Sequence, residues 1–370
     1  MGAFEVIEKY GDHEQVVFCT NKAAGLRAII AIHNTVLGPA LGGTRMWAYK
    51  NDDEALIDVL RLSKGMSYKA SAAGLNLGGG KAVIIGDPKT QKNEAMFRAF
   101  GQFVNSLNGR YITAEDVGTS VKDMEHVYME TPFVTGISHN LGGSGDPSPF
   151  TALGTFIGMK TAARFRLGTD RLKDLRVAVQ GLGHVGMHLV KLLKEEGARV
   201  FVSDIDAEKI KQAQSEYGAQ GVSAEELLAT ECDILAPCAL GAIINDQTLP
   251  RLKTKIIAGA ANNQLAEPKH GNSLKELGIL YAPDFVINAG GLINVWVELE
   301  GYSKERSMEI LDKINDNLTQ IFTSAKTENI PTHEAANRLA ERRIEVMAKL
   351  RQNYQTRGSR IFSTLKLDRR

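Results

Sequence analysis

Apolar residues recur along the chain in two patterns: short runs that predict buried strands, and stripes at helical spacing that predict amphipathic helices. In the first half, the strand-like runs are residues 15–19, 26–33, 82–85 and 111–113. Between them, Leu56, Val59 and Leu60 mark one face of a helix predicted over residues 52–63. Strands that alternate with helices in this way predict an α/β region.

The second half shows the same alternation more regularly. Apolar runs lie near Val177, Val202, Ile234, Ile256 and Tyr281, and helical stretches separate them. Evenly spaced strands with intervening helices predict a doubly wound parallel sheet.

Two stretches mark the limits of these regions. The sequence GGSGDPSP at residues 142–149 breaks regular structure and is typical of a domain boundary or hinge. Beyond the sheet, a one-faced apolar stripe predicts a long helix over residues 303–325, and Pro331 separates it from a last helix that would return to the first domain. The predicted domains are residues 1–148 with 332–370, and residues 149–331.

Residues 176–204 read RVAVQGLGHVGMHLVKLLKEEGARVFVSD, in which an apolar strand leads into Gly-x-Gly-x-x-Gly and then into an amphipathic helix. This order is typical of a dinucleotide-binding βαβ unit. Gly181 would permit a tight turn, Gly183 would let the backbone approach a pyrophosphate, and Gly186 would let the helix pack closely on the strand.

The same unit predicts which dinucleotide binds. The backbone N–H groups that open the helix, at His184 and Val185, are expected to donate to phosphate oxygens. Asp204 ends the second strand and is expected to accept from the ribose 2′-hydroxyl. Because Ile205 and Asp206 follow it, a 2′-phosphate would meet two carboxylates, which predicts NAD and not NADP. The alternative is a glycine-rich turn that binds nothing.

Composition and charge exclude several classes of protein. The net charge of +1 argues against a nucleic-acid-binding surface over the whole chain, and no apolar run approaches membrane length. Three scattered cysteines form no disulfide framework, so we expect a cytoplasmic protein. His184 and His188 lack the Glu and the third ligand of a zinc site, so no metal is predicted. The basic tail from Arg351 is interpreted as solvated or packed against another subunit.

The first half carries the residues best suited to chemistry. Lys69 and Lys81 lie among small and apolar residues in KGMSYKASAAGLNLGGGK at residues 64–81. Desolvation and a neighbouring cation would lower the pKa of one lysine and suit it to act as a base near neutral pH, while the other holds a carboxylate. Ordinary surface lysines are the alternative.

Two further stretches offer polar groups at the ends of predicted strands. Glu115 and Asp116 follow the run at 111–113, the position where α/β proteins place catalytic groups, although Asp116 as a helix N-cap is an equal alternative. Asn288 begins the sequence NAGG and offers an amide near the expected place of a nicotinamide, with a simple turn as the alternative.

These segments together resemble the glutamate, leucine, phenylalanine and valine dehydrogenase family, and within it the leucine-type enzymes most closely. The resemblance extends from about residue 4 to residue 350. It is carried by GPALGGTRMW (38–47), GLNLGGGK (74–81), NGRYITAEDVGT (108–119), APCALGA (236–242), ANNQ (261–264) and YAPDFVINAGG (281–291).

The resemblance implies two α/β domains separated by a cleft. Residues 1–148 and 332–370 would form a substrate-binding and oligomerisation domain, and 149–331 a Rossmann-type NAD domain. The implied reaction is the reversible oxidative deamination of an L-amino acid to the 2-oxo acid and ammonia. We expect a homo-oligomer built from dimers, with an octamer as one candidate size, and no nucleic-acid or membrane partner.

The resemblance also implies a role for individual residues. Lys69 would hold the substrate carboxylate together with the backbone at Gly42 and Gly43. Lys81 would activate the water that attacks the imino acid, and Asp116 would move protons at the amino group.

Further residues follow from the same resemblance. Asn262 and Ala239 would contact the cofactor, and Asn288 would lie near the reacting centre, next to both substrate and cofactor. The implied side-chain pocket consists of Leu41, Met66, Ala114, Leu292 and Val295. Since all five are apolar, a second carboxylate such as that of glutamate would find no donor, which favours leucine, isoleucine and valine.

Two departures leave alternatives open. Leu292 stands where leucine-type enzymes usually have Val, and Trp296 and Val297 replace the usual Ala and Asp, so phenylalanine or another bulky amino acid is an alternative substrate. Outside the family, the alternatives are an NAD-dependent 2-hydroxy acid oxidoreductase, which commonly needs a His base, and a non-catalytic NAD-sensing module.

Overall fold

A computed structural model describes residues 2–239 and 241–352, which form two compact units. Unit 1 contains the described residues of Met1–Asp146, Asn294–Lys304 and Ala340–Arg370, and unit 2 contains Pro147–Ile293 and Glu305–Leu339. The limits predicted from the sequence differ in three places. The first boundary lies after Asp146 instead of residue 148. Asn294–Lys304 lies in unit 1, and the final return occurs at Ala340 instead of residue 332, because apolar periodicity does not tell on which unit a helix packs.

Unit 1 is built on a mixed sheet of five strands in the order β1-β2-β4-β3-β5. Strands β1 and β4 run antiparallel to β2, whereas β3 runs parallel to both β4 and β5. Its main elements are α1 (Ala3–Tyr10), β1 (Gln15–Asn21), β2 (Leu26–Asn34), β3 (Ala40–Trp47), α2 (Asp52–Ala72), β4 (Gly78–Ile85), α3 (Glu94–Ser106), β5 (Tyr111–Glu115) and α4 (Val121–Tyr128).

Both faces of this sheet are covered by buried apolar side chains. One cluster includes Phe97 and Phe100 of α3 and Tyr111 of β5, and the other includes Val59 of α2 and Val83 of β4. The sheet is thus held between two layers of helices, which fixes the ends of β3, β4 and β5 relative to α2.

Helix α2 is longer than the sequence predicted. We expected it to end at Ser63, but it continues to Ala72 and includes Lys69. The reason is its packing: a Cβ built on Gly79 would lie 2.1 Å from the backbone nitrogen of Ser67, so the helix lies directly on a glycine strand. This tertiary contact outweighs the poor helix propensity of the Gly and Ser residues there.

Unit 2 is built on a parallel sheet of six strands in the order β11-β10-β9-β6-β7-β8. Its elements begin with α5 (Ser148–Leu167), β6 (Arg176–Gln180), α6 (His184–Glu195), β7 (Arg199–Ser203), α7 (Ala207–Tyr217), β8 (Gln220–Gly221) and α8 (Ala224–Ala229). They continue with β9 (Cys232–Pro237), β10 (Thr254–Ile257), α9 (Pro268–Glu276), β11 (Leu280–Tyr281) and α10 (Asp284–Ile287). All five predicted strands are present, so the expected doubly wound α/β fold is confirmed.

Four helices complete the described chain: α11 (Gly290–Leu299), α12 (Lys304–Leu311), α13 (Lys313–Glu328) and α14 (Thr332–Gln352). The prediction of one helix over 303–325 is wrong, because the chain turns at Asp312 between α12 and α13. The C-terminal part of α14 packs on α2, where the Ser71 hydroxyl donates to the Ala340 carbonyl at 2.7 Å.

Most of the predicted basic tail lies outside the described residues. No described helix is long and apolar enough to cross a membrane.

Candidate active site

Four charged side chains of unit 1 form a connected network: Arg45 lies on β3, Lys81 lies in the middle of β4, Asp58 lies on α2, and Asp116 directly follows β5. Lys81 Nζ lies 2.9 Å from Asp116 Oδ1, and Arg45 Nε donates to the other oxygen of Asp116 at 3.0 Å. Arg45 also reaches Asp58 of α2, with Nη1 at 3.0 Å from Oδ2, and the Tyr49 hydroxyl donates to the same oxygen at 2.6 Å. Asp116 is therefore held between two cations.

Burial and charge set the protonation of this network. Burial lowers the pKa of Lys81, which is only 5% exposed; Asp116 opposes this shift and Arg45 adds to it. Burial alone would raise the pKa of Asp116, but the charges of Lys81 and Arg45 outweigh it and hold that pKa well below its usual range. Lys81 can thus lose a proton more readily than a surface lysine, beside a carboxylate that stays ionised.

The glycine pair of β3 is buried beside this network and is paired with Thr113 and Ala114 of β5. The register between β3 and β4 pairs Leu41 and Thr44 but assigns no partner to Gly42 or Gly43. The buried Tyr111 hydroxyl donates to the Gly42 carbonyl at 2.6 Å and so fixes that peptide. Because the peptide is planar and trans, the N–H of Gly43 points away from Tyr111.

No side chain fits at either glycine. A Cβ on Gly42 would lie 1.8 Å from the Gly80 carbonyl oxygen, and one on Gly43 would lie 2.8 Å from the Cβ of Asp116. The same construction on Gly42 comes within 3.2 Å of the Met66 side chain, which places Met66 of α2 against this part of β3. Lys69 lies three residues further along α2 and therefore shares the face of Met66.

Two apolar residues of the predicted pocket lie on the same strands. Leu41 of β3 is buried, and Ala114 of β5 is buried opposite Gly43 in the parallel ladder. The N-cap alternative for Asp116 is not what the structure shows, since Ser120 caps α4. Unit 1 thus brings together Lys81 and Asp116, and places Met66, Ala114 and the glycine pair on the strands and helix around them.

Glu115, the other acid of this motif, has the opposite electrostatic behaviour. Burial, and after it the nearby carboxylates of Asp146, Asp123 and Asp116, raise its pKa to about 7. One of its carboxyl oxygens is buried without a hydrogen-bond partner among the described residues. The strand-end position alone did not separate the two neighbouring acids; only the family resemblance singled out Asp116, which follows the last residue of β5.

In unit 2, the glycines after β6 leave room for a ligand in only one place. A Cβ on Gly186 would lie 2.0 Å from the Gly181 carbonyl oxygen, and one on Gly181 would lie 2.8 Å from the Cβ of Ala239, so both are needed for packing. A Cβ on Gly183, by contrast, would meet nothing within 4 Å. Gly183 precedes α6, which starts at His184 without a side-chain cap, so the helix begins beside this open space.

Asp204 at the end of β7 is fixed by backbone groups. Its Oδ2 accepts from the N–H of Leu182 at 2.6 Å, and its Oδ1 accepts from the N–H of Asp206 at 2.8 Å. Each carboxylate oxygen keeps one further lone pair for a ribose hydroxyl. The carboxylate therefore joins the glycine turn to the second strand of the nucleotide unit.

An unsatisfied acceptor marks the other end of unit 2. Asn288 Nδ2 donates to Asn262 Oδ1 at 2.9 Å and to the Ala260 carbonyl at 3.0 Å. Asn288 is only 4% exposed, and its Oδ1 has no partner among the described residues. A buried acceptor in this state calls for a donor from a ligand, and the carboxamide of a nicotinamide supplies one.

The predicted site residues are thus distributed over both units. Unit 1 contains Leu41, Gly42, Gly43, Met66, Lys69, Lys81, Ala114, Asp116 and Val295, and unit 2 contains Gly181, Gly183, His184, Val185, Gly186, Asp204, Ala239, Asn262, Asn288 and Leu292. Sequence reasoning missed Arg45, Asp58 and Tyr49. A charged Arg45 within the small and apolar sequence GGTRMW was the available signal, but its partners lie far away in sequence.

Comparison with known proteins gives a consistent result. Residues 13–133 match the family model described as Glu/Leu/Phe/Val dehydrogenase, dimerisation domain. Residues 142–208 and 202–352 match the model described as glutamate/leucine/phenylalanine/valine dehydrogenase. The two models cover both units.

Individual relatives agree with these models. The chain is 58% identical to leucine dehydrogenase of Geobacillus stearothermophilus over 98% of this chain and 99% of the relative. It is 49% identical to phenylalanine dehydrogenase of Lysinibacillus sphaericus over 97% and 96% of the two chains. The crystal structure of L-tryptophan dehydrogenase from Nostoc punctiforme matches with a TM-score of 0.79 and 46% identity, covering 94% of this chain and 99% of that one.

Proposed function

The chain belongs to the Glu/Leu/Phe/Val dehydrogenase family of NAD-dependent enzymes, and we propose that it oxidatively deaminates leucine, isoleucine and valine. In this reaction an L-amino acid, NAD⁺ and water give the 2-oxo acid, ammonia, NADH and a proton. The observation that carries the proposal is the buried Lys81–Asp116 pair beside the glycine backbone of β3. The motif resemblance found in the sequence and the relatives support the same reaction.

Substrate would be held by its carboxylate in unit 1. Lys69 on α2 shares a face with Met66, which packs on Gly42, so its cation lies on the side of α2 that faces the glycine pair. The N–H of Gly43 is the backbone donor proposed for this carboxylate, since it points away from Tyr111 and the register between β3 and β4 assigns Gly43 no partner. One cation and a backbone N–H form an anion site without a second charged side chain.

Lys81 and Asp116 would handle the protons. The bound NAD⁺ supplies the hydride acceptor for the substrate Cα hydrogen. Lys81, with a pKa lowered by burial, takes a proton from the water whose oxygen becomes the keto oxygen, and returns a proton as the amine leaves. Asp116 orients the Lys81 ammonium at 2.9 Å and accepts hydrogen bonds from the substrate amine.

The groups of unit 2 fit a dinucleotide. The open space at Gly183 and the uncapped start of α6 suit a pyrophosphate, and Asp204 suits a ribose diol. The unsatisfied Oδ1 of Asn288 suits the carboxamide of the nicotinamide. Ile205, which is fully exposed, and Asp206 follow Asp204, so neither of these two residues supplies a cation to hold a 2′-phosphate.

The substrate side chain would contact apolar residues only. Leu41, Met66, Ala114, Leu292 and Val295 are the residues proposed for this pocket, and none can donate to a second carboxylate. Glutamate should therefore be a poor substrate. The higher identity to leucine dehydrogenase than to phenylalanine dehydrogenase supports an aliphatic preference.

Assembly and location are proposed with the activity. The family model over residues 13–133 is described as a dimerisation domain, which supports a homo-oligomer built from dimers, with an octamer as one candidate size. Scattered free cysteines, two of them buried, support a cytoplasmic location.

A substrate panel with the purified full-length chain tests the proposal. We expect NADH to form with NAD⁺ and leucine, isoleucine or valine, at rates at least about 100-fold above those with glutamate. In reverse, NADH oxidation with the branched 2-oxo acid should require ammonia, and NADPH should replace NADH poorly. Ammonia-independent oxidation would indicate a 2-hydroxy acid oxidoreductase, NADH binding without turnover would indicate a sensing module, and faster turnover of phenylalanine would indicate the aromatic alternative.

A further inference from the structure

A buried carboxylate of α11 joins two distant segments of unit 1. Glu298 Oε2 accepts from the N–H of Ser144 at 2.8 Å and from its hydroxyl at 2.6 Å. The N–H of Gly136 lies 3.0 Å from Oε2 and 3.2 Å from Oε1. Glu298 thus binds both ends of the loop at residues 136–144, which we call the 136–144 loop.

This loop is compact and depends on Glu298 to close it. Two backbone hydrogen bonds hold it together: the Gly143 N–H donates to the Ser138 carbonyl and the Gly145 N–H donates to the Ile137 carbonyl, both at 3.1 Å. Ser144 is buried, so its hydroxyl, which donates a hydrogen bond to Glu298, is inaccessible to water. Without Glu298, the N–H of Gly136 and the N–H and hydroxyl of Ser144 would all lose their acceptor.

The loop is in turn bonded to the strand that carries the proposed catalytic acid. Just before the loop, Val134 forms a parallel bridge with Thr113 of β5. The Thr113 N–H donates to the Phe133 carbonyl at 3.0 Å, and the Thr135 N–H donates to the Thr113 carbonyl at 2.9 Å. Thr113 directly precedes Ala114 and lies three residues before Asp116. A continuous set of hydrogen bonds therefore runs from α11 to β5.

Glu298 has no role in the proton chemistry, and no salt bridge joins it to a cation among the described residues. Burial raises its pKa, and the donors from Ser144 and Gly136 only partly offset this. A buried carboxylate without a cation is costly unless it fixes a geometry that matters.

We infer that Glu298 is a positioning residue for substrate selection, which fixes Val295 on α11 relative to Ala114 on β5 through the 136–144 loop. Val295 lies one turn before Glu298 on the same helix, and both Val295 and Ala114 are residues proposed for the substrate pocket. The inference rests on the proposed function, because it explains how two walls of that pocket keep their spacing.

Glu298→Gln is the matched test, since the amide keeps the size of the side chain but has only one acceptor oxygen. Its NH₂ group is a donor and cannot accept the hydrogen bonds that the loop donates. We expect kcat/KM for leucine to fall about tenfold, the size of one lost charge-assisted hydrogen bond. The ratio of kcat/KM for leucine to that for valine should shift by about threefold or more. The Kd of NADH should not change. Ser144→Ala removes only the hydroxyl and should shift the same ratio less, and the double variant should add little to Glu298→Gln.

Glu309→Gln is the control, because it removes the same charge from an exposed side chain of α12. A purely structural role would lower the active fraction equally for all substrates, so an unchanged ratio in Glu298→Gln overturns the inference.

Amide hydrogen exchange supplies a readout that needs no activity: exchange should rise at residues 133–136 and 144 in Glu298→Gln but not in the control. If the parent protein does not turn over leucine, the proposed function fails, and unchanged exchange at 133–136 would separately reject the connection to β5.

Discussion

The sites proposed for the two units would recognise charged groups by different means. In unit 1, the proposed site depends on charged side chains: burial lowers the pKa of Lys81, whereas Lys81 and Arg45 hold the pKa of Asp116 low against the effect of burial. In unit 2, the site depends on backbone groups and on the absence of a side chain at Gly183. Removing a charged side chain should therefore disable the site of unit 1, whereas adding a side chain should disable the site of unit 2. Each of the following variants tests one side of this contrast.

Lys81→Ala should have the largest effect. Removing the base should lower turnover by about 10²–10⁴-fold, the usual contribution of general acid–base catalysis. Because the nucleotide groups lie in unit 2, the Kd of NADH measured by fluorescence titration should stay at the parent value. Lys122→Ala, at an exposed lysine of α4, is the control and should keep full turnover. Near-normal kcat in Lys81→Ala would remove this residue from the mechanism.

Gly183→Ala tests unit 2 by adding a single methyl group. Gly183 has φ −66°, which alanine adopts without strain, and a Cβ there meets no protein atom within 4 Å. The melting temperature should therefore stay the same, while the Kd of NADH should rise at least about thirtyfold, or 2 kcal/mol. Unchanged NADH affinity would mean that the pyrophosphate lies elsewhere. Gly168→Ala, at a left-handed glycine with open space around it, provides the opposite pattern of lost stability without lost affinity.

Arg45→Met should change the pH dependence of turnover. Burial lowers the pKa of Lys81 and Arg45 lowers it further, so removing the Arg45 charge raises that pKa. Since the free amine of Lys81 is the proposed active form, the rise of kcat/KM for leucine with pH should move to higher pH by roughly one unit. At a fixed pH within the rising part of the profile, kcat/KM of Arg45→Met should be about tenfold below that of the parent protein. A limb that keeps its position would show that the titrating group is not Lys81.

Ala114→Gly should have the smallest effect, because it changes only the volume of the proposed pocket. The ratio of kcat/KM for phenylalanine to that for leucine should rise by a few-fold, less than the roughly tenfold that one methylene can supply. Ala82→Gly makes the same substitution at a buried site in the opposite layer of unit 1 and should leave the ratio unchanged. An equal ratio in the two variants would mean that Ala114 does not line the pocket.

The sequence predicted unit 2 better than unit 1 for a physical reason. The nucleotide unit is contiguous, so one stretch of about thirty residues shows strand, turn, helix and acid in order. The network of unit 1 joins residues that are far apart, such as Arg45 and Asp116, and no local pattern reports that kind of contact. Lys81 and Asp116 could each be selected from their surroundings, but the ion pair between them could not.

Other differences arise where packing overrides local preference. Helix α2 continues past Ser63 because the glycines of β4 let it approach, and propensity within α2 gave no sign of this. The apolar stripe over residues 303–325 is continuous in sequence although the chain turns at Asp312. The domain roles predicted from the sequence, and the roles of the individual site residues, stay predictions that the variants above are designed to test.

The glycine pair of β3 has a consequence for how the substrate preference of this protein can be changed. A carbonyl oxygen 1.8 Å from any Cβ on Gly42 excludes every other amino acid there, and Gly43 is confined by Glu115 and Asp116 in the same way. This part of the protein therefore offers no variation on which selection, natural or in the laboratory, can act. A mutant library for substrate preference in this protein should therefore vary other side chains of the proposed pocket, namely Met66, Ala114 and Leu292.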